Sequence, residues 1–309
     1  MLLQTQTRLF QSVPCQERSE PRFRFGANPG KLALSENGEY LFASLDGSGS
    51  VRRYDLSSQA LGSEFNLGVS DLGYINQAED MESVPGQPTS LAISTEGNFN
   101  HSGVAIYDNG VQRANKIGRN IQIDLIEFGA DASVLYGVNN ETAEAGFRTL
   151  AVDNSGVTFV STVGHALAAS RDIDIQFING LVYNNSGYVY DPVKRALVGK
   201  FPLPEGAASV AVDPAAGRAY FITQSSNYTL VLTAYDLKNF AQVGSLKIPL
   251  SYSSTPYDAV DLTVCGPGTL AFRIDDRFST DNHRMVRGPL PGLIRPRRAL
   301  EQSSLWENT

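Results

Sequence analysis

One phrase, written five times, constrains what this chain can fold into more than any other feature. A short apolar run ends in aspartate, usually after tyrosine, and a few turn residues then lead into a second apolar run. The copies are "VRRYDLSSQ", "VAIYDNGVQ", "TLAVDNSGV", "VYDPVKRALVG" and "AYDLKNFAQVG". Their aspartates, Asp55, Asp108, Asp153, Asp191 and Asp236, are spaced by 53, 45, 38 and 45 residues, about 45 on average. A period of about 40–50 residues belongs to units of four strands that cannot bury their faces alone and must stack on their neighbours. Aspartate tolerates left-handed backbone angles and accepts hydrogen bonds from backbone N–H groups two residues on. Each copy therefore reads as a strand, a tight hairpin and an outer strand, and "DNG" at 108–110 is the strongest form of that signal. The tyrosine before the aspartate is expected to pack between neighbouring units.

Each unit parses into strands A to D. The clearest runs "AASVAVD", "RAYFITQ", "TLVLTAYD" and "FAQVGSLKIPL"; the second unit's D strand is expected over "VQRANK", residues 111–116. The runs alternate or are apolar throughout and are bounded by Gly, Asn, Asp or Pro. No convincing helical period occurs in the sequence. The fold class is thus all-β, a β-propeller of four-stranded antiparallel blades, with six blades expected and seven as the alternative. A sixth unit begins at Tyr257 and supplies only its A and B strands by residue 276. Residues 21–26 are expected to close the ring by joining that blade, because closure hides an open sheet edge. The expected organisation is a poorly ordered segment 1–20, a propeller domain 21–276 and a disordered Arg/Pro-rich tail 277–309.

Charge and motifs narrow the function by exclusion. A net charge of -7 argues against a nucleic-acid partner. No apolar run is long enough for a membrane-spanning helix, and the first residues lack the basic and apolar regions of a signal peptide. Cys15 and Cys265 are too few for a disulfide framework or a cysteine metal motif. His101, His165 and His283 include no pair at metal-ligand spacing. Hydrolase elbows, HExxH and phosphate loops are absent from the sequence. No catalytic residue, metal ligand or cofactor is assigned on these grounds.

Loop lengths point to one face. In a propeller the B–C and D–A connections emerge together, and here they are long and varied, whereas the A–B and C–D turns are short. Function concentrates on varied loops held by a rigid scaffold. The ligand-binding candidates on that face are Tyr74, Asn76, His101, Asn140, Glu141, His165, Arg171, Asp172, Tyr252 and Tyr257.

The segments "GANPGKLALSENGEYLFASLDGSGSVRRYDL", "AEDMESVPGQPTSLAIS" and "SVAVDPAAGRAYFIT" resemble the YVTN-type and quinoprotein-like β-propeller repeats of bacterial exported or cell-surface proteins. The resemblance covers roughly residues 21–275. It implies a non-enzymatic binding scaffold in the periplasm, secreted or at the cell surface, with a protein or glycan partner on the loop face. Related lactonase-type propellers hydrolyse sugar lactones, which gives the alternative of a hydrolase using Arg171, His165 and Glu141 on a sugar-like substrate. Other relatives bind quinones, but no cofactor residues stand out here. The sequence departs from the family in showing no export signal, which leaves the cytoplasm open, and in breaking off before the last C and D strands; a truncated or frameshifted reading frame would account for both.

Overall fold

Alternating apolar residues and the Asp-led turns become strands and hairpins in the computed structural model, which describes residues 28–139, 146–167, 173–204, 207–224, 229–248, 257–266, 268–276 and 283–289. These residues form six antiparallel sheets, one per sequence unit. Blade one contains β1 (Pro29–Leu34), β2 (Tyr40–Leu45), β3 (Ser50–Asp55) and β4 (Ala60–Asn66). Blade two contains β5 (Gln77–Ser83), β6 (Ser90–Glu96), β7 (His101–Asp108), β8 (Val111–Gln112) and β9 (Ile117–Gly118), the last also pairing with β7. Blade three comprises β10 (Leu125–Phe128), β11 (Val134–Val138), β12 (Phe147–Asp153) and β13 (Gly156–Val163). Blade four comprises β14 (Ile175–Ile178), β15 (Leu181–Asn184), β16 (Tyr188–Asp191) and β17 (Ala196–Lys200). Blade five holds β18 (Ala207–Asp213), β19 (Arg218–Gln224), β20 (Leu230–Asp236) and β21 (Gln242–Ile248). Blade six holds β22 (Tyr257–Val264), β23 (Thr269–Asp276) and β24 (His283–Pro289). Among the described residues there is no α-helix, only a 3-10 turn at Arg119–Ile121, and no helix long and apolar enough to cross a membrane.

The repeated aspartates do what their turn chemistry requires. Asp55 Oδ1 accepts the N–H groups of Ser57 and Ser58, Asp153 that of Ser155, Asp191 those of Val193 and Lys194, and Asp236 that of Lys238. At "DNG", Asn109 and Gly110 both take positive φ, 47° and 86°, which is a type I′ hairpin turn. The tyrosines ahead of them, Tyr54, Tyr107, Tyr190 and Tyr235, are buried.

The core lies between blades. Apolar clusters join blades one and two through Phe42, Met81 and Ile93, and two and three through Val104, Ile126 and Leu150. Tyr136, Phe147 and Tyr190 join three and four, Val189, Phe201 and Phe221 join four and five, and Tyr220, Leu262 and Phe272 join five and six. The A strands meet along the inside, β1 with β5, β5 with β10, β10 with β14 and β18 with β22. D strands such as β4 and β17 are mostly exposed. The result is a propeller-like arc of six blades.

Two strand assignments differ from the sequence reading. The D strand of blade two is split into β8 and β9: the Arg113 N–H still donates to the Ile106 carbonyl of β7 at 2.8 Å, and beyond it Asn115 pairs with Gly156 of blade three. Contacts with blade three hold the detour: Asn115 exchanges backbone hydrogen bonds with Ser155 and Val157 at 2.7 and 3.1 Å, and the buried Arg113 side chain grips Asp108 with two nitrogens at 2.8 and 2.9 Å and reaches the Asp153 carbonyl of blade three at 2.7 Å. The strand returns as β9 against Gly103, where φ is +132° and a Cβ would lie 1.9 Å from the Ile117 carbonyl oxygen; only glycine fits there. In blade six, β24 supplies a third strand inside the segment read as a tail. Segment 1–20 and residues 21–26, with the ring closure expected of them, lie outside the described residues, as do 277–282 and 290–309 of the tail.

The A strands are inner sheet edges, so half of their backbone groups face away from their own blade. Side chains of the preceding blade meet several of them. Asp80 Oδ2 accepts the Ile126 N–H at 2.8 Å and Glu127 Oε1 accepts the Phe177 N–H at 3.2 Å. Gln176 donates to the Val210 carbonyl at 3.1 Å, and Ser209 Oγ accepts the Leu262 N–H at 2.9 Å. Asp80 also accepts its neighbour Met81 N–H at 2.9 Å. Asp80→Ala removes an acceptor from two buried donors and is expected to destabilise the protein by roughly 2–4 kcal/mol in urea unfolding. A change below about 0.5 kcal/mol, the level of a neutral surface substitution, would show that blade packing does not use these bonds.

Candidate functional site

On the varied-loop face, the start of blade two's A strand meets the start of its C strand and the start of blade three. Register places Gln77 opposite Glu96 and Glu96 opposite His101. Between Ala78 and Asp80 the pairing shifts, so Glu79 is the extra residue of a β-bulge, a device that re-aims a side chain. Asp80 faces blade three as an inter-blade acceptor, and Glu79 comes to His101. Asp124, just before β10, completes the group; its carbonyl accepts the Ser94 hydroxyl at 2.5 Å and its N–H donates to Val138 at 3.0 Å.

The three side chains converge on one imidazole nitrogen. His101 Nδ1 lies 2.5 Å from Asp124 Oδ1 and 3.6 Å from Glu79 Oε2, with side-chain exposures of 10%, 3% and 10% for His101, Asp124 and Glu79. At 3.6 Å the glutamate makes an ion-pair contact but no hydrogen bond, and Glu79 Oε2 is buried and accepts none. Burial pushes the Glu79 carboxyl up to about 7, the His101 contact pulling it back and the Asp124 charge adding to the rise. Asp124 and then Glu79 hold the His101 imidazole up to about 10, against the pull of burial. One nitrogen and two carboxylate oxygens, all within 4.8 Å of one another, are a donor set able to hold a metal ion.

The sequence candidates scatter around this centre. His101 is in it. Tyr74 is exposed on the loop between β4 and β5. Asn76 is buried there instead, its Nδ2 donating to the Leu67 carbonyl at 3.0 Å and closing the loop rather than presenting a ligand contact. His165 is exposed after β13 with φ +55°. Tyr257 begins β22. Asn140, Glu141, Arg171, Asp172 and Tyr252 lie outside the described residues, and with Glu141 and Arg171 goes the hydrolase cluster. Glu79 and Asp124 were not singled out by sequence reasoning, although a signal was present: acidic residues inside otherwise apolar A strands, "AEDMESV" and "IDLIEFG", are poor candidates for burial unless paired.

Two other features of the surface bear on function. The loop 68–76 and the loop 97–100 touch, since a Cβ on Gly97 would lie 3.0 Å from Ser70, and they expose Val69, Leu72, Tyr74, Ile75 and Phe99. Asn98 and Phe99 both take positive φ, 54° and 61°, and Gly97 N–H donates to the Asn100 carbonyl at 2.8 Å. This is a type I′ turn with phenylalanine where glycine is preferred. On the opposite face a cavity of about 380 Å³ opens among the A–B turns of blades one to three, lined by Leu34, Glu36, Met81, Glu82, Glu127 and Phe177 among others. Glu36 and Glu127 are engaged there in bonds between blades, to the N–H groups of Gly86 and Phe177.

No protein-family model matches the chain, and no curated protein matches it in sequence. In fold it is similar to a solved structure described as "KlHsv2 with loop 6CD replaced by a Gly-Ser linker", with a TM-score of 0.54 and 11% identity over 84% of this chain and 80% of that one. At that identity the likeness concerns the fold alone.

In metal-free protein, Glu79 and His101 both bind protons more tightly folded than unfolded. The stability this gives is present at low pH and lost as pH rises, from 4.5 to about 7 for Glu79 and from 6.5 to about 10 for His101. Urea midpoints measured in chelator are expected to fall between about pH 6 and about pH 9. His101→Gln should flatten the upper part of that decline; an unchanged slope would contradict the assigned proton affinity.

Proposed function

We propose that the protein is a non-enzymatic binding scaffold, an exported or cell-surface propeller of the YVTN type, that holds a protein or glycan partner on the face built by loops 68–76 and 97–100. Phe99 carries this reading. It is 87% exposed and sits at a left-handed position that costs an L-residue about 1–2 kcal/mol. An apolar ring held in solvent at a cost to folding is accounted for by contact with something other than this chain. Val69, Leu72, Tyr74 and Ile75 beside it extend the same apolar surface. Cys265, buried after β22, is disulfide-bonded, and disulfides persist in oxidising compartments, which supports export.

Phe99→Gly separates binding from folding because it relieves the turn and deletes the contact. The variant is expected to be more stable by about 1 kcal/mol and to lose retention of the envelope protein or arrayed glycan held by wild type. Val243→Ser on the outer strand β21 serves as control. Equal retention by wild type and Phe99→Gly would sink the proposal.

The disulfide has its own check. Protein unfolded without reductant and treated with iodoacetamide is expected to remain unmodified at Cys265 and to become modified after reduction. Labelling before reduction would remove the support for export.

A further inference from the structure

We propose that Glu79, His101 and Asp124 form a binding site for one first-row divalent cation of the Zn²⁺ kind, held between blades two and three on the varied-loop face. Three donor atoms from three separate chain segments point at one spot, and each is shielded from water. In a tetrahedral shell with bonds of about 2.0–2.1 Å, neighbouring donors lie about 3.3 Å apart. The 3.6 Å between His101 Nδ1 and Glu79 Oε2 already fits. The 2.5 Å between His101 Nδ1 and Asp124 Oδ1 has to open by less than about 1 Å.

Charge and donor chemistry agree on the class of ion. Two carboxylates and a neutral imidazole neutralise a divalent cation, and Glu96, opposite His101 in the register, adds further negative charge nearby. An imidazole suits borderline first-row ions, whereas Ca²⁺ and Mg²⁺ are met by shells of six or more oxygens. Three protein ligands leave the fourth position for water or a donor group of a bound partner. The scaffold fixes the ligands as a metal site requires. Glu79 is set by its bulge, His101 by its place at the start of β7, and Asp124 by the bonds to its own N–H and carbonyl.

The site also lies beside the exposed loops, since loop 97–100 runs directly into His101. An ion here would tie the root of that loop to blade three.

The test is a calorimetric titration of the full chain, stripped with chelator, using Zn²⁺ alone. Wild type is expected to bind one ion per chain. His101→Ala and Asp124→Asn should each weaken binding by more than about 100-fold, since loss of a ligand exceeds the 10–100-fold typical of its supporting groups. His165→Ala, an exposed histidine on another loop, should leave it unchanged. Absence of saturable binding by wild type, or wild-type affinity in His101→Ala, would overturn the assignment. Should the variants fail to fold, X-ray absorption at the zinc edge of loaded wild type decides: a shell of one imidazole with oxygen donors supports the site, and sulfur or two imidazoles excludes it.

Discussion

The structure depends on how it treats the inner edges of its blades. A sheet edge presents backbone groups that must find partners when water is excluded. In a propeller the A strands approach one another along the inside without forming a common ladder. Here side chains bridge the gap in sequence around the arc, from Asp80 to Ile126, Glu127 to Phe177, Gln176 to Val210 and Ser209 to Leu262. Each such bond contributes about 1 kcal/mol net, and leaving its buried N–H or carbonyl unpaired costs about 1–3 kcal/mol. Their larger effect is on register, because a slip of one residue would remove the acceptor and turn the apolar residues out of the inter-blade clusters.

That constraint explains the candidate site. Two acidic residues stand together at 79 and 80, and a regular strand would send them to opposite faces of the blade. The bulge at Glu79 lets Asp80 keep its bond to blade three while Glu79 is directed to His101. The same local irregularity thus serves the scaffold and builds the polar cluster. It also accounts for the cluster's perturbed proton affinities, since the A strand that carries Glu79 is packed on both sides.

Much of the fold was legible in the sequence. The period of the Asp-led turns gives the units, and their strands follow from alternation because each blade is built from local hairpins. What escaped was governed by contacts between units. The D strand of blade two is interrupted where Asn115 pairs with Gly156 and the Arg113 side chain reaches the Asp153 carbonyl, both in blade three, contacts that "VQRANK" does not advertise. β24 lies in the stretch after residue 276 read as an Arg/Pro-rich tail, because its "HRMVRGP" shows little alternation. The candidate cluster was only partly legible: His101 could be placed on the varied-loop face from loop lengths, but its partners are 22 and 23 residues away on either side and share no motif with it. The convergence of Glu79 and Asp124 arises from a bulge and a blade interface, neither of which leaves a fixed spacing in the chain.

The most direct test of this account is amide hydrogen exchange at Ile126, Phe177 and Leu262. These N–H groups lie on sheet edges, so an unbridged edge would exchange them quickly, by local opening. Bridged by Asp80, Glu127 and Ser209, they are expected to exchange as slowly as the central strands, only through global unfolding. Exchange at the rate of an open edge in all three would contradict the claim that side chains of one blade hold the backbone of the next.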